Sequence, residues 1–381
     1  MSSYSVAIIA GARPNFMKIA PVLRAMDSHG GFSTTLIHTG QHYDANLSDV
    51  FFDELEIKKP DVKLSIDGST HGEQTAEILK GTEAVFQRGD ANGKPFDYVI
   101  VVGDVNSTMA ATLAATKLGI PVAHIEAGLR SRDRTMPEEI NRLVTDAISD
   151  LLLASEPDAI SNLQAEGHPD DRIVLVGNVM IDTLRQFLPK AQSLSTLSDL
   201  NVTAGQYATV TLHRPSNVDE ATVLTGIVDV LVRVSQQIAV IFPLHPRTRA
   251  RLISFNLLDR LEKAAGIQLL EPLGYMDFLC LNSQAKVLIT DSGGLQEEST
   301  ALGVPCLTLR ANTERPVTVT NGTSTLIGSD SELLERELHN VMTDQYKKGE
   351  CPALWDGKAA QRIAAVIADR ISASKSNAEV H

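Results

Sequence analysis

Three acids in the N-terminal half stand where an apolar run ends or an amphipathic one begins. Asp104 closes Val101-Val-Gly-Asp104 and Glu126 closes His124-Ile-Glu126. Glu138 opens Met136-Pro-Glu138-Glu139-Ile-Asn-Arg142. Taken singly, Asp104 reads as a helix cap, and Glu138 reads as a dipole partner in an i,i+4 pair with Arg142. Gathered in one pocket, carboxylates split their pKa values and can serve as acid and base. The C-terminal half places the opposite sign at comparable positions. His213-Arg214-Pro215 and His245-Pro246-Arg247 each follow an apolar run, and Arg310 and Arg315 follow another. Asp291-Ser292-Gly293-Gly294 leads from a strand pattern into Leu-Gln-Glu-Glu298. Glycines at such a turn let a phosphate approach free N–H groups, although Ser292 capping a tight turn fits as well. Arg13 and Lys18, in Gly11-Ala-Arg-Pro-Asn-Phe-Met-Lys18, start a helix pattern where an anion is favoured over a cation. Phe278 offers an aromatic face to a base, and core packing is its common alternative.

These groups need rigid elements. Near-continuous apolar runs at Ser5–Ala10, Thr34–His38, Tyr98–Gly103, Val122–Glu126, Leu151–Ser155 and Ile173–Val176 read as strands buried on both faces. Helical patterns at Pro14–Ser28, Asp44–Leu55, Gly72–Gln87, Ser107–Leu118 and Glu138–Ser149 lie between them. The alternation predicts βαβ units on a parallel sheet. Periodicity weakens over Thr183–Gly205, which reads as an interdomain connection. The alternation then resumes at Tyr207–Leu212, Ile238–Phe242, Ile267–Leu270, Ala285–Thr290, Cys306–Leu309 and Thr325–Ile327, and a helix over Gly357–Ser374 closes the chain. The fold class is therefore α/β, with two doubly wound Rossmann-like domains at 1–185 and 186–356 and a terminal helix in 357–381. Ligands of such sheets bind at the carboxyl ends of strands, so the cleft between two such domains is the default site. Two capping boxes, Thr70–Glu73 and Ser329–Glu332, read as structural.

Several classes are excluded. A net charge of −13 on 381 residues argues against a nucleic-acid binder. The excess is uneven: residues 1–190 hold 17 basic and 26 acidic groups, and the rest hold 17 and 21. Cys280, Cys306 and Cys351 form neither a disulfide framework nor a zinc site, so a cytoplasmic protein without a metal is expected. The start, MSSYSVAIIAGARP, lacks a basic leader, and no run is long enough for a membrane span. The first turn matches neither G-x-G-x-x-G nor G-x-x-x-x-G-K-[ST], so no nicotinamide or P-loop nucleotide is expected.

The ordered set GARPNFMK, TGQHYD, GDVNST, HIEAGLRS, MPEEINR, GNVMIDTL, LHRPSN, PLGYMDF, TDSGGLQEE and NTERPVT, from residue 11 to about residue 320, resembles the non-hydrolysing UDP-N-acetylglucosamine 2-epimerases. The resemblance implies a GT-B architecture, a homodimer, no cofactor and a last helix that crosses back to the N-terminal domain. It implies that Asp104, Glu126 and Glu138 move protons, with Arg142 nearby. Arg13 and Lys18 lie near the phosphates and sugar, and His213 contacts the pyrophosphate and is needed for catalysis. Ser292, Gly293 and Gly294 hold phosphate, Glu298 takes the ribose hydroxyls, Phe278 stacks near uracil, and Arg315 and the His245 tip complete the lining. The implied reaction is anti elimination of UDP to a 2-acetamidoglucal, followed by re-addition with C2 inverted. The sequence His213-Arg-Pro-Ser-Asn217 departs from the His-Arg-Arg-Glu-Asn of many members, near where some bind a second UDP-sugar as activator. UDP-diacetamido-uronic acid epimerases and hydrolysing relatives share these motifs, and a GT-B glycosyltransferase would share the UDP half-site.

Overall fold

The computed structural model describes residues 3–40, 52 and 54–378. It contains two compact units, one formed by Met1–Thr183 with Ala353–His381 and the other by Leu184–Pro352.

The first unit carries β1 (Tyr4–Ala10), β2 (Phe32–His38), β3 (Val62–Lys63), β4 (Tyr98–Val102), β5 (Val122–Ile125), β6 (Leu151–Ala154) and β7 (Ile173–Leu175). These form one parallel sheet in the order β3-β2-β1-β4-β5-β6-β7. Its principal helices are α1 (Arg13–His29), α2 (His71–Arg88), α3 (Asn106–Lys117), α4 (Pro137–Ile148), α5 (Pro157–Ala165) and α6 (Val179–Gln192). The sheet is covered on both faces, so its strands are apolar throughout: Val6–Ala10 and Val99–Val102 are all buried. The chain leaves β1 and β4 for opposite edges of the sheet. Their carboxyl ends therefore border the topological switch point.

The second unit repeats the plan with β8 (Tyr207–Thr211), β9 (Ala239–Pro243), β10 (Ile267–Leu270), β11 (Val287–Thr290), β12 (Cys306–Thr308) and β13 (Ser324–Leu326). The order is β10-β9-β8-β11-β12-β13, again parallel, with the switch between β8 and β11. Thr211 is in register with Thr290, so the residues just beyond both strands meet. Its principal helices are α7 (Ala221–Val234), α8 (Pro246–Ser254), α9 (Tyr275–Ser283), α10 (Gly293–Leu302) and α11 (Ser331–Met342).

The last helix, α12 (Ala359–Ala378), belongs to the first unit. The Asp182 carboxylate accepts its first free N–H groups, Ala359 N at 3.1 Å and Ala360 N at 2.7 Å. Ile363, Ile367 and Ile371 bury its apolar stripe, and α12 packs against α1. Trp355, just before it, is buried and donates Nε1 to Ser155 O at 3.1 Å.

Three expectations need correction. The boundary between units does fall at Thr183–Leu184, where the interdomain connection was expected to begin, but periodicity does not weaken there: α6 runs unbroken to Gln192. Ile181, Leu184, Phe187 and Ala191 are buried at helical spacing, a pattern obscured by Pro189 and the polar residues that follow. The cap of α11 is Asp330, which accepts from Glu332 N and Leu333 N, not Ser329, because the helix starts one residue later than expected. The third concerns Arg142 and is taken up below. The Thr70–Glu73 box forms as read. The helix expected at Asp44–Leu55, with the end of the TGQHYD motif, falls largely outside the described residues.

Candidate active site

In the first unit, the β1–α1 and β4–α3 junctions close on each other. Gly11 is tight against α3: a Cβ there would lie 2.2 Å from Ser107 Oγ, closer than any side chain tolerates. Asn15 turns its side-chain oxygen back onto Gly11 N (3.1 Å) and Ala12 N (3.0 Å), and its Nδ2 donates to Val102 O at 3.3 Å. This ties the start of α1 to the end of β4. Gly103 then turns the chain with φ of +70°, a conformation that disfavours any residue bearing a Cβ. A Cβ on Gly103 would sit 3.4 Å from Lys18 Nζ, 3.5 Å from Asn15 Nδ2 and 3.6 Å from Glu126 Oε2. Gly103 is thus the floor on which Lys18 and Glu126 meet.

Lys18 Nζ pairs with Glu126 Oε2 at 2.5 Å, with the two side chains 12% and 3% exposed. Glu126 itself has φ of +71°. A non-glycine residue in the left-handed region costs about 1–3 kcal/mol and persists where surrounding contacts impose it, often at functional sites. Beside it, Asp104 Oδ2 accepts from Arg142 Nη2 at 2.5 Å. Arg142 Nη1 also donates to Glu139 Oε2 at 2.8 Å. The expected Glu138–Arg142 pair is therefore replaced by Glu139–Arg142–Asp104. Glu139, Arg142 and Asp146 lie on the buried stripe of α4, while Glu138 points off it. Glu138 is half-buried with no hydrogen-bond or ion-pair partner among the described residues. Burial pushes the Glu139 carboxyl up. Hydrogen bonds from Ser131, Arg132 and Arg142 outweigh burial and leave it below the usual range. Asn141 Nδ2 donates to Asp104 O at 2.8 Å. Arg13 opens α1 and is half-buried.

In the second unit the polarity is reversed. Asp291, fully buried just past β11, accepts from His213 N, Arg214 N and Asn217 Nδ2, and pairs with His213 Nδ1 at 2.7 Å. Burial raises its carboxyl, and His213, Arg214 and Asn217 more than offset that, leaving it below the usual range. The His213 side chain stays 42% exposed, with Nδ1 committed to Asp291 and Nε2 left for a ligand. His245, on the next strand end, lies 5.9 Å from His213 ring to ring. Burial and then His213 lower its pKa.

Ser292, Gly293 and Gly294 lead into α10, and the Ser292 side chain makes no capping bond, so the capped-turn reading is not realised. Two guanidiniums border this helix start, since a Cβ on Gly293 would lie 3.6 Å from Arg310 Nη1 and 3.7 Å from Arg315 Nη1. Arg310 is held by Glu314 in a two-pronged pair at 2.8 Å, and Arg315 by Glu297. One turn further, burial and then the Glu297 charge push the Glu298 carboxyl up to about 8. Phe278 stands on α9, half-buried. An N-terminus flanked by two arginines with a half-exposed His is suited to an anion.

The sequence reading gave no role to Asp291, Glu139 or Asn15. Asp291 orients His213, Glu139 orients Arg142, and Asn15 ties the start of α1 to β4, and each depends on register or helix phase. A signal existed only for Asp291, as an acid at a strand end facing a basic tip.

Over residues 24–368 the chain matches the model of a family described as UDP-N-acetylglucosamine 2-epimerase. The chain belongs to this family. Its members are epimerases and hence isomerases. A UDP-N-acetylglucosamine 2-epimerase of Methanocaldococcus jannaschii is 41% identical over 367 residues, spanning 95% of this chain and 98% of that protein. A UDP-2,3-diacetamido-2,3-dideoxy-D-glucuronate 2-epimerase of Pseudomonas aeruginosa is 39% identical over 366 residues, 95% and 99% of the two chains. Among solved structures, the M. jannaschii UDP-GlcNAc 2-epimerase in complex with UDP-GlcNAc and UDP superposes with a TM-score of 0.83, covering 96% of this chain and 99% of that one. The Neisseria meningitidis enzyme bound to UDP-GlcNAc gives 0.84 at 30% identity, covering 96% and 100%. The α/β fold with two parallel sheets is that of these 2-epimerases. No helix among the described residues is long and apolar enough to cross a membrane.

Proposed function

We propose that this epimerase interconverts UDP-GlcNAc and UDP-ManNAc without a cofactor. The observation that carries the reading is the paired arrangement Lys18–Glu126 and Arg142–Asp104 around Gly103. It supplies two carboxylates, each oriented by a cation, where a sugar ring needs a base and an acid. The C2 hydrogen lies beside an acetal carbon, so its removal alone would leave an unstabilised carbanion. Loss of that proton to one carboxylate, as the C1–O bond breaks and its electron pair leaves with UDP, gives the 2-acetamidoglucal instead. Re-addition of UDP at C1, with a proton delivered to the opposite face of C2, completes the inversion. We assign UDP to the second unit, with Ser292–Gly294, His213, His245 and Arg315 at the pyrophosphate, Glu298 at the ribose and Phe278 near the uracil. Fixed positive groups there stabilise the charge developing on the departing UDP. Arg13, Lys18, Asp104, Glu126, Glu138 and Arg142 form the sugar side. A cytoplasmic homodimer is the form in which we expect the enzyme to act.

The test is incubation with UDP-GlcNAc in deuterated water. UDP-ManNAc should form, with deuterium at C2 of both sugars by proton NMR. Absence of both epimer and exchange rejects this substrate, and free N-acetylmannosamine with UDP indicates the hydrolysing reaction. A UDP-diacetamido-uronic acid is the second substrate to try, because the P. aeruginosa relative is similar over nearly its whole length.

A further inference from the structure

Beneath the Asp104 and Glu126 carboxylates lies a buried ion network that the proposed chemistry does not use. His124, on β5 and fully buried, points Nε2 at Gly103 O (2.8 Å) and Nδ1 at Asp146 Oδ1 (2.6 Å). A carbonyl oxygen can only accept. Asp146 is already surrounded by donors, taking Gly128 N at 3.0 Å and Arg130 Nη2 at 2.8 Å on its other oxygen. Burial raises the Asp146 carboxyl, but His124 and Arg130 outweigh that and hold it below the usual range, so it too accepts. With an acceptor at each ring nitrogen, both must donate, which only the doubly protonated ring can do.

We propose that His124 is held by Asp146 as an imidazolium whose Nε2–H fixes the Gly103 carbonyl, and that it thereby positions Asp104 and Glu126 for proton transfer. Gly103 is the residue before Asp104 and the floor under Lys18 and Glu126, and His124 is two residues before Glu126. Rotation of the Gly103–Asp104 peptide would turn the Asp104 side chain away from Arg142. A charge fixed within a water-excluded wall acts on neighbouring carboxylates more strongly than one in solvent. The charged groups linked to it are Asp146 and, through Asp146, Arg130 and Glu166; through Gly103 it adjoins Lys18 and Glu126, and Asp104 with its partner Arg142. His124 touches no reacting atom in this assignment; it is a positioning residue. Its kinetic consequence rests on the function proposed above, whereas its protonation state does not.

Two measurements test it. In the full-length protein with 15N-labelled histidine, the His124 ring should show both nitrogens protonated under the conditions of the activity assay. A neutral tautomer there overturns the proposal, whatever the enzyme's substrate. The second measurement compares H124N and H124Q. An Asn amide reaches only the Nδ1 position and keeps Asp146, and a Gln amide reaches only the Nε2 position and keeps Gly103. H124N should lower kcat for C2 deuterium exchange by about 100-fold, the scale of a misplaced catalytic group, with H124Q retaining more activity. KM and UDP affinity should stay within about twofold for both, since the second unit is untouched. Folded H124N with normal kcat, or equal losses in kcat and UDP affinity, overturns the proposal. If H124N does not fold, the order of effects passes to H124Q, whose kcat must still fall while its KM holds. If the native enzyme exchanges no C2 proton, the function reading fails, and the ring-nitrogen measurement alone decides the charge state.

Discussion

The two units share one strand order and one kind of switch point, yet they invert the same electrostatic device. In the first, the carboxylate is the accessible member of a pair: Asp104 is 29% exposed on an Arg142 that is 5% exposed. In the second, the carboxylate is the buried member: Asp291 is fully buried and the His213 ring it holds is 42% exposed. In each case the buried partner fixes the orientation, and the exposed one faces whatever binds. The strand order places each pair, and the neighbouring Lys18–Glu126 pair of the first unit buries both members, at 12% and 3% exposed. Opposite charges held at fixed geometry in a partly dry wall need no reorganisation when a ligand arrives.

Substitutions can break this comparison at each end. The largest effect belongs to the two paired acids of the first unit: Asp104→Asn and Glu126→Gln should each cut turnover by at least about 100-fold with UDP affinity kept. Near-normal rates in single-turnover assays of both would remove them from the proton-transfer role. Next is the buried acid of the other unit. Asp291→Asn removes the charge and turns one of its two acceptor oxygens into a donor, so it can no longer hold both His213 Nδ1 and the group of His213 N, Arg214 N and Asn217 Nδ2. UDP binding by calorimetry should weaken about tenfold or more, and stability should fall by about 1–3 kcal/mol. Unchanged UDP affinity would show that the Asp291 contact does not set the His213 geometry.

A smaller effect is a pH dependence confined to the second unit. The folded Glu298 carboxyl, at about 8, lies above its unfolded value near 4.3, so the folded state binds the extra proton between them. That stability is complete below the unfolded pKa and is lost as pH rises through about 8. The melting temperature of the wild type minus that of Glu298→Gln should therefore fall steadily from pH 5 to about pH 9. A difference independent of pH would mean that the carboxyl is ionised in the fold. The smallest effect is expected at the exposed Arg233–Glu335 pair, about half-exposed on both sides. Arg233→Ala should change stability by less than about 1 kcal/mol and leave activity unaltered.

Much of this arrangement can be read along the chain. The apolar runs located every strand among the described residues except the two-residue β3 to within one or two residues, because a strand covered on both faces admits little else. Asp104, Glu126, His213 and Ser292–Gly294 were found as strand-end residues for the same reason. Glu139 was not, because Glu138 and Glu139 are chemically alike and only the phase of α4 decides which one turns inward. The buried stripe of α4 is itself polar, so no hydrophobic period marked it. The continuation of α6 across the unit boundary was likewise hidden by a proline and a polar stretch.

The sequence alone therefore determined the α/β class, the two sheets and the residues at the strand ends, since these follow from local periodicity and from breaks in it. Only the tertiary structure decided the partnerships: Asp104 with Arg142, His213 with Asp291, and His124 between Gly103 and Asp146. Each joins residues from neighbouring strands or a strand and a helix. Such pairs are set by register and by burial of one charge against another, and neither leaves a mark in the order of amino acids along one segment.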